Sequence, residues 1–183
     1  MAFMRTWLSL LCYLTVMVAI TTLKPFYQIG YLWDPARQRV RELHLVPFDE
    51  FAGSTWFAPL FEYAGNTAFF VPFGVLAFIL VPSVRKVTAC GFAVSLAVEV
   101  VQYLGALGRT DIDDLLFNTL GALVGALIAR ACGRRAYPVW RGLSFALTAV
   151  FVALVALGPR LGDADKVVDL AGAYPCPMLT NRE

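Results

Sequence analysis

Five apolar runs separated by short polar breaks set the pattern of this chain, at roughly 5–23, 63–81, 87–106, 112–131 and 142–158. Each is close to the roughly 20 residues a helix needs to cross about 30 Å of hydrocarbon. Lipid offers no water to bare N–H and C=O groups, so helices that satisfy their own backbone are the elements these runs predict. Polar residues interrupt the second, third and fourth runs, and the fifth is the cleanest. The expected fold class is therefore all-α, a polytopic membrane bundle of about five transmembrane helices. Residues 1–183 read as a single membrane domain, and the tail 159–183 is short, mixed and expected to be poorly ordered.

Composition supports the bilayer as solvent. Hydrophobic residues make up 59% of the chain and charged residues 15%, against about 45–50% and about 25% in soluble domains. A soluble core of this size could not hide so much apolar surface. Net charge is +2, and no basic tract or stacking platform suggests nucleic acid as a partner. Cys12, Cys90, Cys132 and Cys176 show no C-x-x-C spacing, so neither a redox motif nor a zinc site is expected. No metal or other cofactor is expected.

The first run reads as an uncleaved helix. It follows Arg5, is longer than a signal-peptide core, and has only a weak cleavage pattern around Ala19–Thr21. Basic residues then orient the bundle. Arg85 and Lys86 lie in the second loop, and Arg130, Arg134, Arg135 and Arg141 around the fourth, whereas the third holds Arg109 beside three aspartates. Loops two and four are thus expected on the cytoplasmic side of the membrane. Lys24, Arg37, Arg39 and Arg41 in the long first loop pull the other way. That loop, 24–62, is rich in aromatics and proline, including Tyr31, Trp33, Pro47, Phe48 and Trp56. It reads as a re-entrant or interfacial element with aromatic rings at headgroup depth. His44 is expected to be an interfacial residue there.

A polar constellation stands out within this apolar chain. Asp111, Asp114, Asn118, Gly121 and Gly125 follow spacings of 3, 4, 3 and 4, which places them on one stripe of a helix starting near 111. Gly121 and Gly125 would let a neighbouring helix approach closely. Asp113 falls off this stripe and reads as a first-turn acid favoured by the helix dipole. Ser95, Glu99 and Gln102 share a face of the third run. Glu99 would lie about 18 Å along that helix, where a lone carboxylate costs about 2.5–3.5 kcal/mol. It should face the bundle, with Arg109 as the expected partner or a proton to neutralise it. Asn66 lies near the outer end of the second run, followed by Phe70, Pro72, Phe73 and Gly74. Pro72 should bend its helix, and the phenylalanines read as core. Asn66, Glu99, Gln102, Arg109, Asp111, Asp114 and Asn118 thus gather at one membrane face. Amides and glycines in membrane helices commonly serve only packing, and that reading suits Gln102 or Asn118 taken singly. Glu99, Arg109 and Asp111 together point to a binding site.

These residues resemble the VanZ-like family of bacterial membrane proteins. The resemblance rests on Asn66-x-x-x-Phe70-x-Pro72-Phe73-Gly74, on Ser95-x-x-x-Glu99-x-x-Gln102, and on Gly108-Arg109-x-Asp111-x-x-Asp114-x-x-x-Asn118-x-x-Gly121. Leu45-Val46-Pro47-Phe48 also looks like the family's segment before its second helix. It covers about residues 40–130, so the fifth run and the tail lie outside it. The resemblance implies a cell-envelope role, and the family's namesake is associated with resistance to teicoplanin-type glycopeptides. It assigns no reaction to the residues.

Three functions follow from the residues. In the first, the polar face binds or modifies an envelope component, such as the headgroup of a lipid-linked or cell-wall intermediate, with Arg109 on phosphate or carboxylate. In the second, an enzyme acts on a lipid-linked phosphate through Mg²⁺ held by Asp111, Asp113 and Asp114, with Glu99 as general base. No Ser/His pair, H-E-x-x-H or phosphate-cradling glycine loop supports it. In the third, the chain is a small transporter or a structural partner, with Glu99 relaying protons. The lack of an inverted repeat weighs against transport, although the glycine stripe would permit a homo-oligomer.

Overall fold

The computed structural model describes residues 2–23, 26, 41–52 and 56–158. Its five long helices are α1 (Ala2–Thr22), α2 (Phe57–Leu80), α3 (Val84–Gly105), α4 (Ile112–Cys132) and α5 (Tyr137–Leu157), with two short strands, β1 (Arg41–His44) and β2 (Gly108–Asp111). All five helices are long and apolar enough to cross a membrane. The chain is a multi-pass, all-α membrane bundle. Large apolar side chains such as Leu8, Leu11, Phe61, Phe92, Leu96 and Val152 remain exposed on helix surfaces, as suits helices whose solvent is lipid.

Four helices begin earlier than the apolar runs, α1 at Ala2 rather than 5, ahead of Arg5. α2 starts at Phe57 rather than 63, taking Pro59 and Glu62 into its first turns. Proline is tolerated there because the N–H it lacks has no intrahelical partner in a first turn. α3 starts at Val84 rather than 87, with Ser83 as N-cap accepting from the Lys86 amide. α5 starts at Tyr137 rather than 142, with Pro138 in its first turn. In each case polar residues or proline at the membrane edge truncate the apolar signal without ending the helix.

Small residues let α2 and α4 approach backbone to backbone. A Cβ on Gly121 would stand 2.2 Å from the Thr67 carbonyl oxygen, and one on Gly125 2.2 Å from that of Val71. From the other side, a Cβ on Gly74 would meet the Ala122 carbonyl oxygen at 2.3 Å. Phe70, Phe73, Leu76, Met17 and Ala126 close the core around this seam. α2 runs through Pro72 without interruption. Proline offers no N–H to the preceding turn, and the Tyr13 hydroxyl of α1 donates to the nearby Phe69 carbonyl at 2.6 Å. Such side-chain donors re-satisfy a loosened turn in lipid. α5 packs on α1 at the rim, where Ser144 Oγ donates to the Ser9 carbonyl at 3.3 Å.

The helices alternate in direction, so the bundle has two chemically distinct ends. One holds the start of α1, the α2–α3 turn and the α4–α5 turn, with Arg5, Arg85, Lys86, Arg130, Arg134, Arg135 and Arg141. The other holds every acidic residue among those described: Glu42, Asp49, Glu50, Glu62, Glu99, Asp111, Asp113 and Asp114. At this acidic end β1 and β2 pair in parallel, with Glu42 opposite Arg109 and His44 opposite Asp111. Of the long first loop, residues 41–52 thus form a strand and a short 3-10 turn, Asp49–Ala52. The expectations for Lys24, Pro25 and residues 27–40, for Cys176 and for the tail 159–183 lie outside the described residues.

Candidate functional site

The acidic end brings together side chains from α2, α3, β2 and α4. Asp111 closes β2 and caps α4, its Oδ1 accepting from the Asp113 amide at 2.9 Å. An aspartate at this position satisfies an orphan donor and favours the positive end of the helix dipole. The helix proper thus begins one residue after Asp111. Asp111 Oδ2 faces Arg109 at 3.4 Å, and Arg109 also donates to Glu62 of α2 at 3.2 Å. The guanidinium lies between two carboxylates.

Glu99 is 5% exposed. Its Oε2 accepts from the backbone N–H of Asp111 at 3.0 Å, and Thr110 Oγ1 donates to the Glu99 carbonyl at 3.2 Å. The hydrogen bond that holds this carboxylate comes from a main-chain amide, where the side-chain pattern pointed to Arg109. β2 returns from the end of α3 and lays its amides beside the helix it has just left. A Cα in the left-handed region makes that return: Ala106, with φ of 49°, ends α3, and the Leu107 amide bonds back to the Gln102 carbonyl at 2.9 Å.

Asp113 is 2% exposed and is a tertiary anchor rather than only a first-turn acid. Its Oδ2 accepts from the Tyr63 hydroxyl at 2.7 Å and from the Phe48 amide at 2.8 Å. Asp113 and Phe117 are one turn apart, and the Tyr63 ring stacks on Phe117 with centroids 4.4 Å apart. This second stripe of α4 therefore docks both α2 and the loop after β1. The first stripe carries Asp114, hydrogen-bonded to Asn66, and Asn118, which donates to Ser95 Oγ at 3.0 Å. Gln102 turns toward α1, donating to the Thr21 carbonyl at 3.1 Å.

Glu99, Arg109 and Asp111 form one linked group with Glu62, while Asn66 and Asp114 form a second pair beside it. Asn118 sits deeper, and Gln102 ties α3 to α1. Pro72, Gly74, Gly121 and Gly125 lie below in the helix seam. Asp111, Asp113 and Asp114 turn to separate partners, and no group of three or more His, Cys, Asp or Glu side chains among the described residues converges to hold a metal ion. The pattern along the chain overlooked Glu62 and Tyr63. A signal for Tyr63 does exist, because it precedes Phe70 and Gly74 on the same helical stripe.

Among the described residues, two buried acceptors at this end have no donor: Gln102 Oε1 and Asp113 Oδ1. Such an atom costs about 1–3 kcal/mol unless water or a ligand supplies a proton. Beside the carboxylates a cavity of about 600 Å³ opens between α2, α4 and the loop after β1, lined by Phe48, Phe51, Tyr63, Thr67, Val71 and Phe117. Apart from Thr67 and the Tyr63 hydroxyl, these side chains are apolar.

The fold and this end define a polytopic membrane protein with an acceptor-rich cluster at one membrane face and an aromatic groove beside it. The chain belongs to the VanZ/LLP1 family, whose model matches residues 10–133. That match takes in the later part of α1 as well as the motif-bearing stretch. The chain is 29% identical over 115 residues to Protein VanZ of Enterococcus faecium, an alignment covering 62% of this chain and 66% of that relative. The chain thus spans just under two thirds of that relative's length. No solved structure matches it.

Proposed function

We propose that this VanZ-like protein sits in the bacterial cytoplasmic membrane with its acidic end outward. There it binds the donor-rich headgroup of a lipid-linked envelope or cell-wall intermediate, and so alters susceptibility to teicoplanin-type glycopeptides. The orientation follows from the positive-inside rule applied to the basic end. The ligand chemistry follows from what the cluster lacks. Arg109 is already set between Glu62 and Asp111, so acceptors outnumber donors, and the complementary group carries hydroxyls, amides or an amine. The notion of a phosphate as first partner of Arg109 fits less well, because the phosphate would have to displace a carboxylate.

The observation that carries the reading is the dual position of Tyr63. Its hydroxyl belongs to the polar network through Asp113 and its ring lines the apolar groove. A ligand seated there has a polar head joined to an apolar chain. The test is binding of a photoreactive lipid-linked cell-wall precursor to the purified protein in lipid nanodiscs, paired with teicoplanin susceptibility of cells expressing it. Crosslinks at Phe51 or Phe117, lost in Glu99→Gln and Asp114→Asn variants that still fold, are expected together with a shift in susceptibility. Absence of specific crosslinking would sink the binding reading. Crosslinking without a susceptibility change would remove only the glycopeptide role.

A further inference from the structure

We propose that the basic end of the bundle carries a second site, an interhelical pocket that takes the phosphate of an anionic membrane lipid. The proposal is independent of the acidic end. A cavity of about 360 Å³ lies between the start of α1, the end of α2 and the start of α5. Its polar wall is Arg134, Tyr137 and Arg141, and its apolar wall includes Phe3, Ile79 and Leu80. Tyr137 and Arg141 lie one turn apart on α5 and so share a face, and Arg134 reaches the same cavity from the α4–α5 turn. Arg141 is aimed by α1, its Nη1 donating to the buried Thr6 hydroxyl at 3.2 Å.

Two arginines and a phenol thus line one cavity, and no carboxylate of the described residues lies at this end. The planar guanidinium fork matches the oxygens of a phosphate. Phosphate also occurs in soluble anions, but the other wall of the cavity is apolar and the helices around it face lipid. A phosphate attached to acyl chains would use both walls, with its head between Arg134 and Arg141 and a chain along Phe3 and Leu80. Basic pockets between membrane helices bind acidic headgroups in this way.

The experiment titrates the purified full-length chain, in neutral detergent, with phosphatidylglycerol, phosphatidylcholine or inorganic phosphate, and follows thermal unfolding. Phosphatidylglycerol should raise the unfolding temperature, and the other two should not. Arg134→Gln/Arg141→Gln should weaken the half-saturating phosphatidylglycerol by about tenfold or more, as expected for loss of a charge-assisted bond. Arg130→Gln/Arg135→Gln removes the same charge outside the cavity and should leave the response unchanged. An equal loss in that control would mean diffuse attraction to charge, and the pocket would be overturned. An equal response to inorganic phosphate would make it a soluble-anion site and overturn the lipid assignment. If the double variant fails to fold, Arg134→Gln alone serves, because Arg134 is exposed, and an unchanged response there would also overturn the proposal.

Discussion

The Tyr63 hydroxyl donates to Asp113 Oδ2 at 2.7 Å while the Tyr63 ring stacks on Phe117, one turn further along the same helix. A single side chain therefore holds α2 to α4 by both a polar and an apolar contact. Tyr63→Phe should keep the stack and lose the donor. The Phe48 amide still reaches the same carboxylate oxygen, so the loss should fall near the low end of the about 1–3 kcal/mol for an orphaned buried group. Tyr63→Ala should cost more, about 3–5 kcal/mol, because the stacked ring goes too. Thermal unfolding in detergent measures both, and equal losses would show that the ring stack contributes nothing beyond the hydroxyl bond.

The glycine seam makes a sharper contrast. Gly121→Ala and Gly125→Ala would press a methyl group into the Thr67 and Val71 carbonyl oxygens. Backbone cannot swing aside as a side chain can, so each should destabilise by about 1–3 kcal/mol or more. Gly65, in the same α2, has nothing within 4 Å of an added Cβ. Gly65→Ala should be neutral or stabilise the helix by about 0.5–1 kcal/mol. Folded yield and unfolding temperature across the three variants check the seam, and a tolerated Gly125→Ala would mean that α2 and α4 stand further apart.

The glycine spacing and the polar stripes were readable because helical periodicity reports which residues share a face. Gly121 and Gly125 lie on the α2 side of α4, and Asp114 and Asn118 continue their stripe. The β1–β2 pairing was not readable. Arg41–His44 and Gly108–Asp111 carry no apolar alternation, and their pairing depends on the bundle that brings them together. The partner of Glu99 was hidden for a related reason. Side-chain types advertise Arg109, but the bond comes from a main-chain amide, which every residue except proline possesses. The role of Asp113 was missed because its partners lie on α2 and in the loop after β1, outside any local spacing.

Arg109 has two carboxylate neighbours of unequal burial, and their couplings should differ. Glu62 is partly exposed, with 44% of its side chain accessible against 5% for Asp111. An exposed pair contributes about 0.2–1 kcal/mol, whereas breaking a buried one by removing a single partner costs about 3–5 kcal/mol. Double-mutant cycles of Arg109→Gln with Glu62→Gln and with Asp111→Asn should give the larger coupling for Asp111. The Asp111 cycle also disturbs the α4 cap, a contribution that cancels in the coupling because it appears in both Asp111 variants. Equal couplings would mean that the burial of Asp111 adds nothing to its pairing with Arg109, and a coupling near zero that the cap alone satisfies the buried carboxylate.

Sidedness decides which compartment the acceptor-rich cluster meets, and it can be read with two cysteines. In a background with all four native cysteines replaced by serine, Asp49→Cys marks the acidic end and Arg135→Cys the basic end. Both positions are exposed and lie outside the long helices, so neither substitution should disturb the core. The basic end holds seven arginines and lysines without an acid among the described residues, and charge of that kind is retained in the cytoplasm during insertion. An impermeant maleimide should therefore label Asp49→Cys in cells with an intact inner membrane, and Arg135→Cys only after permeabilisation. The opposite pattern would place Glu99, Arg109 and Asp113 in the cytoplasm. The cluster could then meet only cytoplasmic headgroups, and a direct effect on an antibiotic acting outside the membrane would lose its physical basis.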